Sequence, residues 1–248
     1  LVQNNYYIDI LITVAYYAVL TEAWNIMSGY TGQLSLGHVA FMGLGQYTSV
    51  LLYTKLGLTP WVGILVGSLL AMLLAFFVGV FALRLKGPFF ALATIAITTI
   101  LQIVAVKWDG LTSGSSGITI RFEESAGNMI FRSYKPYYFM FICLLALVVG
   151  VTIYISRSKL GSDLVATREN DVAAASLGIN LFRTRVIALL ISAFFTSLAG
   201  SLYAQYTLFI SPASSFNTVI SQKTAILAIV GGSGTVFGPL IGAGILTP

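Results

Sequence analysis

The sequence predicts an all-α fold: a polytopic bundle of membrane-spanning helices forming one domain over 1–248. Three observations carry this. First, 57% of the 248 residues are hydrophobic and only 8% are charged, where a soluble domain carries about 25% charged residues. Second, apolar runs close to the ~20 residues needed to cross a bilayer recur along the chain. Third, the runs are continuous rather than alternating, which favours helices over a barrel. The formal net charge of +5 acts through its distribution and does not imply nucleic-acid binding. Cys143 is the only cysteine, so no intramolecular disulfide can form.

The first span is expected over about 6–27. Tyr6 and Tyr7 suit the interface, and Asp9 lies at the edge. Glu22 lies well inside, and two readings stand for it: a paired or functional carboxylate at depth, or one near the surface with Asn25 as a polar neighbour. Next, Gly29, Gly32, Gly37, Gly43 and Gly45 are too dense for an undisturbed helix, each costing up to about 1 kcal/mol relative to alanine. They permit a helix break or close packing. Thr31, Gln33, Ser35 and His38 share the stretch. Irregular backbone at membrane depth is tolerated only beside protein or a watery cavity. Gly32, Gln33, Ser35, Gly37 and His38 are therefore the candidate lining of a solute route. The apolar helix resumes to about residue 53, and Lys55 and Pro60 close it.

The third span, about 61–83, ends at Arg84 and Lys86. Gly87-Pro88 restarts the chain, with proline placed for a first helical turn. The fourth, about 89–106, carries Thr94, Thr98, Thr99 and Gln102, which can bond across helices or line a path. Residues 107–136 form the longest hydrophilic connection, rich in turn residues, with Glu123 and Glu124 offsetting Arg121 and Arg132. The fifth span, about 137–155, leads into a polar island at 157–185.

Within that island, Asp171-Val-Ala-Ala-Ala-Ser-Leu177 reads as a short helix. Asn170 can cap its start, Asp171 suits the positive end of its dipole, and Gly178 is placed to end it. Val172, Ala173, Ala174 and Leu177 form an apolar face. That face fits either a docking surface for another protein or a seat on the chain's own membrane domain. The sixth span, about 186–206, has a stripe of small residues, Ser192, Ser197, Gly200 and Ser201. Residues 210–215 form a turn. A seventh apolar stretch, about 219–230, has Gln222 and Lys223 near its start and runs into the glycine-dense segment 231–239. The final stretch, from about 240 to Pro248, is too short to cross. With Leu at position 1 and no secretory signal pattern, the chain is expected to be truncated at both ends.

Basic residues in short loops set orientation. Arg84 and Lys86 lie on one side. Two crossings later Arg157, Lys159, Arg168, Arg183 and Arg185 fall on the same side. Both loops, 84–87 and 157–185, are placed in the cytoplasm, and 107–136 outside. Nucleotide hydrolysis by this chain is excluded by the lack of a phosphate loop, since Gly231-Gly-Ser-Gly has no lysine. One histidine and one cysteine supply no zinc set, and no cofactor is expected. A Ser35–His38 hydrolase lacks an orienting acid; His38 is better read as a packing donor or a lining group.

Four runs carry a family resemblance. Gly-Tyr-Thr-Gly-Gln-Leu-Ser-Leu-Gly-His-Val-Ala-Phe at 29–41 closely resembles a signature of the branched-chain amino acid permeases of ABC importers. Arg-Glu-Asn-Asp-Val-Ala-Ala-Ala-Ser-Leu-Gly-Ile-Asn at 168–180 is similar to their cytoplasmic loop, with its Glu-Ala-Ala…Gly type of signature. The segment 108–118 is similar too, with Ser113 where glycine is expected, and so is 231–239. The resemblance spans about 24–246. It implies import of branched-chain or other hydrophobic amino acids across the inner membrane of a prokaryote. It further implies two separate ATPase subunits, a homologous permease subunit and an external substrate-binding protein. Arg168, Glu169, Asn170, Ala173, Ala174 and Gly178 then belong to the loop that couples to the ATPase. Urea, amides or another small solute are alternative cargoes. An ion-coupled secondary transporter is the alternative of a different class, for which broken helices and Glu22 are the relevant features.

Overall fold

The computed structural model describes residues 5–85 and 87–247; Lys86 of the first basic loop and Pro248 lie outside the described residues. Helix α1 (Asn5–Trp24) continues through a π-turn, Asn25–Gly29, and is followed by α2 (His38–Leu56), α3 (Pro60–Ala82) and α4 (Pro88–Lys107). A short α5 (Asp109–Thr112) and strand β1 (Ile118–Thr119) lie in the long connection. Then come α6 (Lys135–Ser156), α7 (Lys159–Glu169), α8 (Asp171–Ser176) and α9 (Leu181–Thr207). Strand β2 (Phe209–Ile210), α10 (Pro212–Ser215), α11 (Thr218–Gly231) and α12 (Gly238–Leu246) complete the chain.

Among the described residues, five helices are long and apolar enough to cross a membrane: Tyr6–Gly29, Pro60–Ala82, Pro88–Lys107, Lys135–Ser156 and Leu181–Thr207. Prolines in the first turns of α3, α4 and α6 start three of them where their missing N–H costs nothing. α1 and α9 are mostly buried and form the core, whereas α4 and α6 turn most of their surface outward. The outward side chains are apolar, such as Leu69 and Phe77 on α3 and Leu92 and Ile100 on α4. This suits lipid, because backbone polar groups are satisfied within each helix.

Small residues set the closest contacts. A Cβ on Gly45 would overlap Ser197, one on Gly200 would overlap Met42, and Gly67 lies on the Gly45 backbone. The α2–α3–α9 core is thus held by close packing of small residues rather than by long side chains.

The two basic loops share one end of the bundle, because Leu83 and Arg84 border the same recess as Asp171 and Arg185. The far end is capped by the long connection. There β1 pairs antiparallel with β2, Ile118 opposite Ile210. The Lys55 ammonium donates to the Gly110 carbonyl at 2.6 Å, and the Trp61 indole to that of Ala126 at 3.2 Å. The Tyr206 hydroxyl donates to the Asp9 carboxylate, tying α1 to α9 at that end.

Two segments break the helical pattern inside the bundle. One is 32–37, where Gly32 takes a positive φ of 71°. The other, 211–217, overlaps the turn expected over 210–215, of which Ile210 belongs instead to β2 and 212–215 form the short α10. It dips inward until a Cβ on Gly43 would overlap Phe216 and the Ser215 carbonyl, and Phe216 stacks on Tyr47 at 5.8 Å.

Candidate translocation and docking sites

The break at 32–37 keeps its backbone satisfied by side chains from three elements. The Trp24 indole donates to the Ser35 carbonyl at 2.7 Å, and the Ser35 N–H donates to the Ser28 hydroxyl at 3.2 Å. The Leu36 N–H donates to Thr94 Oγ1 on α4 at 3.2 Å, and the Val39 N–H to Ser221 Oγ on α11 at 2.9 Å. Polar Thr94 and Ser221 thus replace the water that irregular backbone would otherwise need at depth.

All five sequence-predicted lining residues fall in or beside this break. Gly37 lies so close to α4 that a Cβ would overlap the Thr94 carbonyl. His38, 3% exposed, bridges Ser35 Oγ from Nδ1 at 2.8 Å and Ser192 Oγ from Nε2 at 2.7 Å. Both ring nitrogens are occupied by hydroxyls, so the imidazole joins the break to the middle of α9. Gln33 is buried, and its Oε1 meets no donor. The break is partly enclosed: Leu34 is 40% exposed, while Gln33, Ser35, Gly37 and His38 are buried and the voids beside His38 and Gly37 are too small for a solute. A larger recess of about 390 Å³ opens toward the far end, with Tyr16, Met42, Gln46, Tyr203, Asn217 and Ile220 on its walls.

Glu22 is fully enclosed by the protein. Its carboxyl lies beside Thr152 on α6. Asn25 is engaged elsewhere: its Oδ1 accepts the Gly234 N–H at 2.7 Å, and its Nδ2 donates to the Thr235 carbonyl at 2.9 Å. These bonds staple the π-turn to the glycine loop before α12. π-turns concentrate at functional sites.

At the basic end, α8 forms where its caps place it. Asn170 Oδ1 accepts from the Val172 and Ala173 N–H groups at 2.9 and 3.1 Å. At the other end Gly178 adopts φ +82°. Its N–H donates to the Ala175 carbonyl at 2.9 Å, and that of Ile179 to Ala174 at 3.1 Å, the two bonds of a Schellman cap. The apolar residues do not share one face. Ala174 turns inward at 2% exposure, while Val172 and Leu177 stand out at 74% and 79%. Arg185 Nη2 donates to Asp171 Oδ1 at 2.5 Å and seats the helix on α9. One recess borders α8 itself, and a second opens beside its exit at Leu177 and Gly178.

Arg168 connects the two sites. It leaves the end of α7, pairs with Glu169 at 3.0 Å and donates from Nη1 to the Gly29 carbonyl at 3.4 Å. Its stem fills the space a Gly32 side chain would take, and its guanidinium occupies that of Gly234. Sequence reasoning placed Arg168 in the docking loop but did not bring it to the break. It also missed Asn25, Ser192 and Ser221 as supports. Single polar residues in apolar helices carried the signal, without saying which helix each would meet.

A multi-pass helix bundle with a partly enclosed glycine-broken segment and a capped helix at one end is the architecture of a membrane permease. The family model described as "Branched-chain amino acid transport system / permease component" matches residues 6–247, and the chain belongs to that family. It is 30% identical to the high-affinity branched-chain amino acid transport system permease protein LivM of Escherichia coli K12, over 96% of this chain and 61% of that protein. It is 24% identical to the LivH permease protein of the same system in E. coli K12, over 93% of this chain and 79% of the relative. The autoinducer 2 import system permease protein LsrC of Klebsiella pneumoniae is 29% identical over 42% of this chain and 31% of its own length. The chain therefore spans about three fifths of the LivM length. No solved structure matches it.

Proposed function

We propose that the chain is a membrane-spanning subunit of an ATP-driven importer of branched-chain or other hydrophobic amino acids, in the inner membrane of a prokaryote. The observation that carries this is α8. It is capped at both ends, seated on α9 by the Asp171–Arg185 pair, and turns Val172 and Leu177 outward. Exposed apolar residues on a self-capped helix fit a cleft on another protein.

In this reading the basic end faces the cytoplasm, and α8 inserts into one of two ATPase subunits. ATP is hydrolysed there and not on this chain. A homologous permease subunit lies alongside, and an external binding protein delivers the solute to the far end. Arg168 passes displacement of α7 and α8 to Gly29, Gly32 and Gly234, and so to the segment holding Gln33, Ser35, Gly37 and His38. Motion there opens a route that is closed in this conformation. ATP-bound and ATP-free subunits must prefer different positions of α8, because only differential binding shifts an equilibrium. The branched-chain cargo rests on the names of the relatives, and LsrC shows that a related permease serves another solute.

The test is co-expression with candidate ATPase and binding-protein subunits, followed by purification on a tag on this chain. An ATPase should co-purify, and proteoliposomes should accumulate leucine only with ATP inside. Leucine uptake that proceeds without any ATPase and follows an ion gradient overturns the proposal in favour of a secondary transporter.

A further inference from the structure

We propose that Lys223 is the anion-recognition group of the membrane route, receiving the carboxylate of the solute as it leaves the far-end recess. The inference rests on the importer reading above.

Depth comes first. The Lys223 ammonium lies over the Tyr17 ring, 4.0 Å from its centroid. At about 1.5 Å per residue, Tyr17 is about 12 Å along α1 from Asp9 at the far end and about 18 Å from Gly29 at the basic end. The ammonium therefore lies between the two ends of the bundle on a half-buried side chain, at a depth where an ionised side chain is costly and marks a solute or ion pathway.

Its partners come next. The ion pairs among the described residues are Arg121–Glu123, Arg168–Glu169 and Arg185–Asp171, so Lys223 has no carboxylate there. The face of Tyr17 is its contact, and a ring face offsets only part of the cost of removing an ammonium from water. Three N–H donors remain for an anion from outside the chain.

The surroundings specify that anion. Ile220, one helical turn toward the start of α11, lies on the wall of the 390 Å³ recess, so Lys223 follows it on the same face of the helix. Gln46, 5% exposed, also lines that recess, and its Oε1 is buried without a donor. Tyr16, Met42, Tyr203 and Ile220 supply apolar wall between them. The arrangement offers an apolar surface for a side chain and, one turn further along α11, a donor for a carboxylate. That pair complements an amino acid with a hydrophobic side chain.

The experiment uses the assembled complex with its ATPases, partner permease and binding protein in proteoliposomes, with radiolabelled leucine as the probe. Lys223→Gln should lower the leucine imported per ATP hydrolysed by about tenfold, the loss expected for one charge-assisted hydrogen bond. Lys223→Arg, which keeps the charge and the donors, should restore most of the ratio. Subunits should co-purify in unaltered proportion in both variants. Unchanged import by Lys223→Gln overturns the inference. Loss of the partner permease from the purified Lys223→Gln complex also overturns it, assigning Lys223 to an interchain ion pair. If the unaltered complex imports no leucine, the importer reading falls and takes the inference with it. Normal import by the unaltered complex, with Lys223→Gln indifferent, removes the inference alone.

Discussion

If α8 docks on an ATPase as proposed, Gly178 isolates what the shape of the helix contributes to coupling. The residue closes the helix at φ +82°, and a Cβ built there meets nothing within 4 Å. A substitution at this position therefore changes backbone preference without a clash and without removing a side-chain contact. Asparagine visits the left-handed region readily and should cost a few tenths of a kcal/mol. Alanine should cost about 1 kcal/mol, and β-branched valine about 2 kcal/mol or more. The Schellman bonds at 2.9 and 3.1 Å depend on that backbone conformation. A helix of six residues has no reserve of its own stability to absorb the loss, since isolated short helices are marginal. A cost of about 2 kcal/mol lowers the population of the capped form about thirtyfold, and docking that requires this form weakens with it. Binding-protein-stimulated ATP hydrolysis in the assembled complex should therefore fall in the order asparagine, alanine, valine. If valine matches asparagine while all three variants assemble equally, the capped shape of α8 is irrelevant to coupling, and the docking argument fails.

Three further outcomes follow from the same geometry. Gly37→Leu forces a side chain into the Thr94 backbone and should abolish uptake while the complex still assembles; normal uptake places the route elsewhere. Asn25→Ala removes the bonds to Gly234 and Thr235 and should cost roughly 1–3 kcal/mol, read as a lower melting temperature of the purified complex, and an unchanged melting point refutes the staple. Cysteine at exposed Lys159 should react only with reagents admitted to the cytoplasm and cysteine at exposed Ser115 only from outside, and labelling of both from one face refutes the orientation.

The parts of the fold legible in the sequence are those set by local chemistry. The caps of α8 are an asparagine and a glycine a few residues apart, and the structure uses both as read. The apolar spans and the prolines that start them need no tertiary information either. Facing is different. Val172, Ala174 and Leu177 look alike in sequence, yet Ala174 packs inward and the others do not. That choice is made by the Asp171–Arg185 pair, whose members lie on different helices. The inward dip of 211–217 shows in the sequence only as a turn over 210–215, because turn residues do not encode depth. Gln33, Ser35 and His38 were found by their polarity, but their enclosure depends on Trp24, Thr94, Ser192 and Ser221 arriving from elsewhere in the chain.

Glycine density carried two meanings that the sequence does not separate. Gly43 and Gly45 lie within α2 and Gly200 within α9, where they serve close packing, so part of the glycine run is not a break at all. Gly32 and Gly234 do different work: both make room for Arg168. Filling either hollow would push the guanidinium away from the Gly29 carbonyl, which it reaches at only 3.4 Å. The charge on Arg168 is neutralised by Glu169 at the surface, so the guanidinium can enter this junction without carrying an uncompensated charge into it. A lysine there would offer one mobile ammonium rather than a planar fork held at two points. The consequence is mechanical. The end of α7 cannot move relative to the π-turn, the break and the loop before α12 without vacating the space these glycines leave. Close-packed protein yields by switching between discrete arrangements rather than by stretching. Under the proposed coupling, a displacement of α8 would therefore reach Gly32 as a shift of the whole junction, and the segment from Gln33 to His38 begins at the next residue.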